Sequence, residues 1–139
     1  MASMTDTERL YAVRGAVCCT NTKDSIGVLV PELYRNLLSV NNISEDSIVS
    51  IQFSVNRELT ALNPATALRH AGLARDVPLF CAAEPWIDGY LENVIRVLVT
   101  WYGSTRPVPV YLNGAEVLRP DLHNNDNNVT GNGSNRDHD

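Results

Sequence analysis

The chain has 139 residues, 44% of them hydrophobic, and a formal net charge of −5 from 16 acidic against 11 basic side chains. That is the length of one domain with a real core. It excludes a polybasic nucleic-acid or acidic-membrane binder, because lysine occurs once, at Lys23, and the arginines are scattered singly.

Residues 1–8 are polar and predict a loose terminus. LYAVRGAV, residues 10–17, predicts a buried strand in which Gly15 marks either a bulge or the close approach of another group. Arg14 inside that strand needs an explanation: it lies on an edge facing water, or it meets an anion. Residues 24–40 carry apolar side chains at 26, 29, 30, 33, 34, 37 and 38, the spacing of a helix. Pro31 predicts either a kink or a regular helix that begins near it, and Asn41-Asn42 closes the segment. Ser44-Glu45-Asp46 predicts one short turn and SIVSIQFSV (47–55) a strand, so strand, helix and strand form a candidate crossover unit.

Asn63-Pro64 predicts the start of a short helix, asparagine as cap and proline at the first position, which carries Arg69 and ends at Gly72. VPLFC (77–81) predicts the next strand, with Cys81 and Glu84 leading into a turn. Beyond it, apolar residues at 90, 91, 94, 95 and 98 predict an amphipathic helix capped by Asp88 and carrying Arg96. An arginine among Ile95, Val97, Leu98 and Val99 either snorkels or has a partner. Gly103 to Arg106 predicts a turn, VPVYLNG (108–114) and AEVL (115–118) a strand and its extension, and Asn113-Gly114 a hairpin turn.

The domain is therefore expected over 9–122, followed by a disordered polar tail, 123–139, that has almost no apolar residues. His123 and His138 fall in that tail, and His70 has no His or Cys at ligand spacing, so no metal site is expected. No Walker A or Rossmann glycine pattern is present. Cys18, Cys19 and Cys81 do not make a disulfide framework, no signal peptide precedes them, and no apolar run nears the roughly 18 residues of a membrane span. A cytoplasmic protein is expected, in which the sequons at Asn42, Asn128 and Asn132 are chance matches.

The charges embedded in apolar segments are Arg14, Glu84, Arg96 and Arg119, with Arg69 on the short helix and the polar-tipped Tyr111 in a strand. Several arginines and one carboxylate point to a small polyanion, since the guanidinium fork donates two parallel hydrogen bonds to a carboxylate. Glu84 could orient a hydroxyl, act as a base or balance charge. Two other readings stand beside this one: a structural or interaction domain whose charges pair internally, and a hydrolase with Cys81 as nucleophile. For the hydrolase, no histidine stands at an interpretable position.

The order of V-R-G-A (13–16), P-A-x-A-x-R (64–69), V-P-x-x-C-x-x-E (77–84), I-R-V (95–97), V-Y-L (110–112) and L-R-P-D-L (118–122) resembles the small monofunctional chorismate mutases of the AroH class. The resemblance covers about residues 10–122 and implies an α+β fold: a mixed sheet of about five strands with helices against one face. Three such chains would assemble into a homotrimeric pseudo-α/β barrel with sites in the clefts between subunits. It implies the Claisen rearrangement of chorismate, a dicarboxylate, to prephenate for phenylalanine and tyrosine synthesis, with no cofactor and no covalent intermediate.

By the same resemblance Arg96 donates to the ether oxygen, Arg14 clamps the side-chain carboxylate with Tyr111 nearby, and Glu84 accepts the ring hydroxyl beside Cys81. Glu84 and Arg96 flank one ligand in this picture and need not be an ion pair. Arg69 and Arg119 guard the mouth, Arg69 coming from the adjacent subunit. Leu118 lines the site and Ala65 belongs to the neighbour's wall. The chain departs from the family pattern at Asn63, where a phenylalanine is usual, at Thr66, at Phe80 and in the loop Asn56-Arg57-Glu58-Leu59. Those departures leave two alternatives: a divergent homologue acting on a modified chorismate-like dicarboxylate, or a non-catalytic small-anion-binding module.

Overall fold

The computed structural model describes residues 8–122; the expectations for residues 1–7, the tail with its histidines and the sequons at Asn128 and Asn132 lie outside them. In chain order the elements are β1 (Arg9–Cys18), α1 (Lys23–Asn41), β2 (Ile48–Val55), α2 (Pro64–His70), β3 (Leu79–Ala83), β4 (Val94–Gly103) and β5 (Val110–Leu112). Short 3-10 turns fall at Glu45–Ser47 and Ala115–Leu118. The strands form one mixed sheet in the order β3-β2-β4-β1-β5. β4 runs antiparallel to β1 and β2, whereas β2 with β3 and β1 with β5 are parallel. This is the α+β arrangement that the sequence resemblance implied.

α1 starts where Thr22 accepts a hydrogen bond from the Ser25 N–H at 3.0 Å, and it stops at Asn42, whose φ of 52° is left-handed. The helix continues through the buried Pro31 and is not delayed until it. Its buried stripe, Ile26, Val30, Leu33, Tyr34 and Leu37, has the three-and-four spacing of one helical face. The stripe packs on the sheet through Val13, Val17, Ile51, Phe53, Ile95, Val97, Val99 and Trp101, while Ala67 and Leu68 of α2 join the same cluster. Both helices thus cover one face. α2 begins as expected, with Asn63 Oδ1 accepting from the Ala65 N–H at 2.9 Å and Pro64 at the first position.

Two local expectations are corrected, and a third is resolved between its two alternatives. The segment read as a helix capped at Asp88 is instead a turn followed by β4, the middle strand of the sheet. Its buried core positions are 95, 97, 99 and 101, a period of two, in a run rich in β-branched side chains. Val94 on the opposite face is buried as well, and that second covered face blurs the alternation into something helix-like. Asn113 and Gly114 do take left-handed φ values of 52° and 99°, but no hairpin follows: β5 pairs in parallel with β1, and residues 115–118 turn as 3-10. Finally, β1 runs without a register break at Gly15. The glycine is there for close approach, because a Cβ would stand 2.9 Å from Leu37 Cδ1 and 3.0 Å from the Val110 carbonyl oxygen. A register shift lies elsewhere, between Ile48 and Ser50 of β2.

β5 is only three residues long, so its position depends on neighbours. Asn41 at the end of α1 supplies them: its amide donates to the Val108 carbonyl at 2.9 Å and accepts from the Val108 N–H at 2.6 Å. Among the described residues no helix is long and apolar enough to cross a membrane.

Candidate active site

The face of the sheet turned away from the helices carries the charges, and the strand register sets them in two rows. Tyr111, Ala16, Arg96, Ser54 and Ala82 follow one another across β5, β1, β4, β2 and β3. The adjacent row runs Arg14, Leu98, Gln52, Phe80. Because side chains of a strand alternate between faces, residues two apart on each strand share this one. The arrangement gives Arg96 small neighbours on both sides, Ala16 and Ser54, and so leaves room for a guanidinium on a flat surface.

Above these rows opens a cavity of about 630 Å³ lined by Arg14, Arg96, Arg119, Glu84, Tyr111, Leu118 and Phe80, among others. Three guanidinium groups therefore face one carboxylate in a chain whose net charge is −5. Local cations of this kind suit a small dianion regardless of the global charge.

Arg14 is on an inner strand, paired with β4, while the pairing with β5 begins at the next residue, Gly15; its side chain is exposed where it lines the cavity. Glu84 follows directly after β3, its N–H donating to the Val55 carbonyl at 2.9 Å and so extending the pairing of β2 with β3. Its carboxylate accepts from Ser54 Oγ at 2.5 Å through Oε2, while Oε1 lies 3.4 Å from Arg96 Nη1. The two charges do approach one another, with side chains 23% and 30% exposed. The alignment is not that of a hydrogen bond, and Arg96 Nη1 is a buried donor with no partner. A buried donor on an arginine that makes no hydrogen bond is costly, and here only the Coulomb attraction of Glu84 offsets it.

Arg119, at the mouth, is held by Asp121 through a fork, Nε to Oδ1 at 3.1 Å and Nη2 to Oδ2 at 3.0 Å. That pairing chiefly raises its pKa above the ordinary value, and the Tyr111 hydroxyl adds to it against some desolvation. Both partners are open to solvent, so an incoming carboxylate can replace Asp121 at small cost.

The loop from Glu84 to Arg96 is pinned by Glu58. Its carboxylate accepts from the Tyr90 hydroxyl at 2.8 Å, the Asn93 N–H at 2.7 Å and the Asn56 amide at 3.3 Å. Burial works against its ionisation, but the hydrogen bonds from Asn93, Tyr90 and Asn56 outweigh that and hold the carboxyl below its ordinary range. Asn56 is fully buried and also donates to the Leu91 carbonyl at 2.6 Å. Trp86 stacks on Tyr90, and the Arg57 guanidinium covers its ring. The loop whose sequence departs from the family pattern is therefore a brace for the loop that follows Glu84.

Five expected site residues do not reach this cavity within their own chain. Cys81 pairs with Phe53 on the helix-facing side of the sheet and packs against the core. Burial raises its thiol pKa, the wrong direction for a nucleophile. Asn63 spends its side chain on capping α2, Ala65 packs on the core, and Thr66 sits half-buried on the same helix. Arg69 donates to the carbonyls of Ala74 and, at 2.9 Å, Val77. Phe80 does line the cavity, yet it is 67% exposed. Sequence reasoning missed Gln52, Ser54 and Leu98; the polar members of β2 at alternate positions were the available signal.

A family model described as chorismate mutase type I matches residues 10–122. A chorismate mutase AroH of Thermus thermophilus is 39% identical over 115 residues, covering 79% of this chain and 93% of its own length. The Bacillus subtilis (strain 168) chorismate mutase AroH is 30% identical over 120 residues, covering 81% and 92%. A solved structure of a chorismate mutase from Clostridium thermocellum superimposes with a TM-score of 0.73 at 36% identity, over 77% of this chain and 98% of that one.

Proposed function

The chain belongs to the chorismate mutase type I family, and on that premise we propose that the cavity above the sheet converts chorismate to prephenate. The observation that carries the reading is Arg96, whose Nη1 makes no hydrogen bond, set with two further arginines, Arg14 and Arg119, and one carboxylate, Glu84, around a single cavity.

The rearrangement breaks the ether C–O bond and forms a C–C bond within one molecule, so no proton, electron or leaving group is exchanged with the protein. Two tasks remain for side chains. The flexible dicarboxylate must be held as a folded, chair-like conformer, where orientation is worth several kcal/mol. Negative charge that gathers on the ether oxygen as the C–O bond lengthens must be stabilised.

Arg96 donates to that oxygen, and its place on the central strand keeps it fixed as the charge develops. Arg14 clamps the side-chain carboxylate, with the Tyr111 hydroxyl beside it. Glu84 accepts the ring hydroxyl through the oxygen that Ser54 leaves free, and it abstracts nothing. Arg119 exchanges Asp121 for the substrate at the mouth, over Leu118.

The enzyme works in the cytoplasm as a homotrimer, each cavity completed by a neighbour that brings Ala65 and Arg69, with Asn63 and Thr66 beside them. Supporting this, these residues lie off the cavity in their own chain, on or capping α2, which packs beside the edge strand β3. Dilution series in which particle size and chorismate turnover are followed together test the arrangement. Activity per chain is expected to fall as three-chain particles dissociate, and a fully active monomer would contradict a shared site.

A further inference from the structure

We infer that Ser54 is a positioning residue of this reaction, holding one oxygen of Glu84 so that Arg96 keeps a free donor for the substrate. The inference rests on the chorismate mutase reading above and deepens it at one side chain. Ser54 stands on β2 in register with Arg96 on β4 and Ala82 on β3. Its hydroxyl donates to Glu84 Oε2 at 2.5 Å, and the Glu84 backbone is tied at the same strand through the Val55 carbonyl at 2.9 Å. With its backbone tied to β2 and one carboxylate oxygen held by Ser54, Glu84 stops with Oε1 3.4 Å from Arg96 Nη1.

A charge-assisted N–H···O bond is strongest at about 2.7–2.9 Å, so the opposite charges are restrained short of closing. Without Ser54 nothing else among the described residues hydrogen-bonds that carboxylate side chain. It would then swing onto Arg96 and satisfy the donor that is left open in the present geometry. The closed pair withdraws Arg96 from the ether oxygen and Glu84 from the ring hydroxyl together. Because the lost contact is one that strengthens as charge develops, the deficit falls on kcat more than on KM.

Ser54→Thr and Ser54→Val test this as a pair: both are β-branched and suit a strand, and they differ by a hydroxyl against a methyl. Ser54→Thr is expected to stay within about threefold of wild-type kcat, and Ser54→Val to lose about tenfold to a hundredfold with KM changed less. Repeating the pair in a Glu84→Ala background should remove the difference between them. Equal kcat for the two variants in the parent enzyme, or the same ratio in both backgrounds, overturns the inference, since a merely structural role would be indifferent to Glu84. If Ser54→Val does not fold, Ser54→Ala carries the same comparison. A wild-type protein inactive on chorismate would instead remove the mutase reading itself, which keeps the two failures distinct.

Discussion

Arg96→Ala is expected to lower kcat/KM on chorismate by about a thousandfold or more, ~4 kcal/mol of transition-state stabilisation, with kcat and kcat/KM falling together. The size follows from position. A cation on the central strand, between Ala16 and Ser54, cannot be replaced by water in the same place and orientation. The fold should survive, because the buried Nη1 makes no hydrogen bond and its approach to Glu84 is unaligned. Removing it takes away a desolvation cost along with an attraction. Arg96→Lys should recover little, since an ammonium lacks the planar fork that reaches an ether oxygen and a carboxylate at once. Steady-state kinetics together with a thermal melt decide this. Activity within tenfold of wild type, or an unfolded protein, would count against the assigned role.

Gly15→Val is expected to destabilise the protein by about 3 kcal/mol, the upper part of the range for overpacking a core. The added carbon would meet Leu37 and Leu33, which can shift, and the Val110 carbonyl, which can move only if β5 moves. β5 carries Tyr111 and is followed by Leu118 and Arg119. The variant should therefore lose activity even where it remains folded, whereas a core cavity made in α1, at Val30 for instance, should cost stability alone. Denaturant midpoints beside kcat/KM separate the two. A Gly15→Val enzyme with wild-type stability would show that the close approach is not a constraint.

Much of this architecture was legible before any coordinates. The stripe of α1 declared itself because only one side of that helix is buried, and Asn63-Pro64 marked α2 through the chemistry of its first turn. The arginines stood out as charges in apolar segments, and seven of the expected residues, Arg14, Phe80, Glu84, Arg96, Tyr111, Leu118 and Arg119, do meet in one cavity. What the sequence concealed has physical reasons. β4 is flanked by strands and partly covered on both faces, so its two-residue alternation faded and a helix was the natural reading of positions 90–98. Cys81 was read beside Glu84 through the family resemblance, but Cys81 and Glu84 are an odd number of residues apart and the pairing along β3 sends Cys81 to the core. Ser54 is an ordinary polar residue of a half-exposed strand, and only its register with Arg96 reveals what it touches.

The central claim is that this cavity turns chorismate into prephenate without help from any other reactant. Its most direct test is the purified 139-residue chain with chorismate alone, following loss of the substrate's ultraviolet absorbance and appearance of prephenate. The expected result is turnover many orders of magnitude above the uncatalysed rearrangement, with stoichiometric prephenate, in a buffer free of nucleotides. Chorismate that is bound but decays at its uncatalysed rate would contradict the account and leave an anion-binding protein in its place.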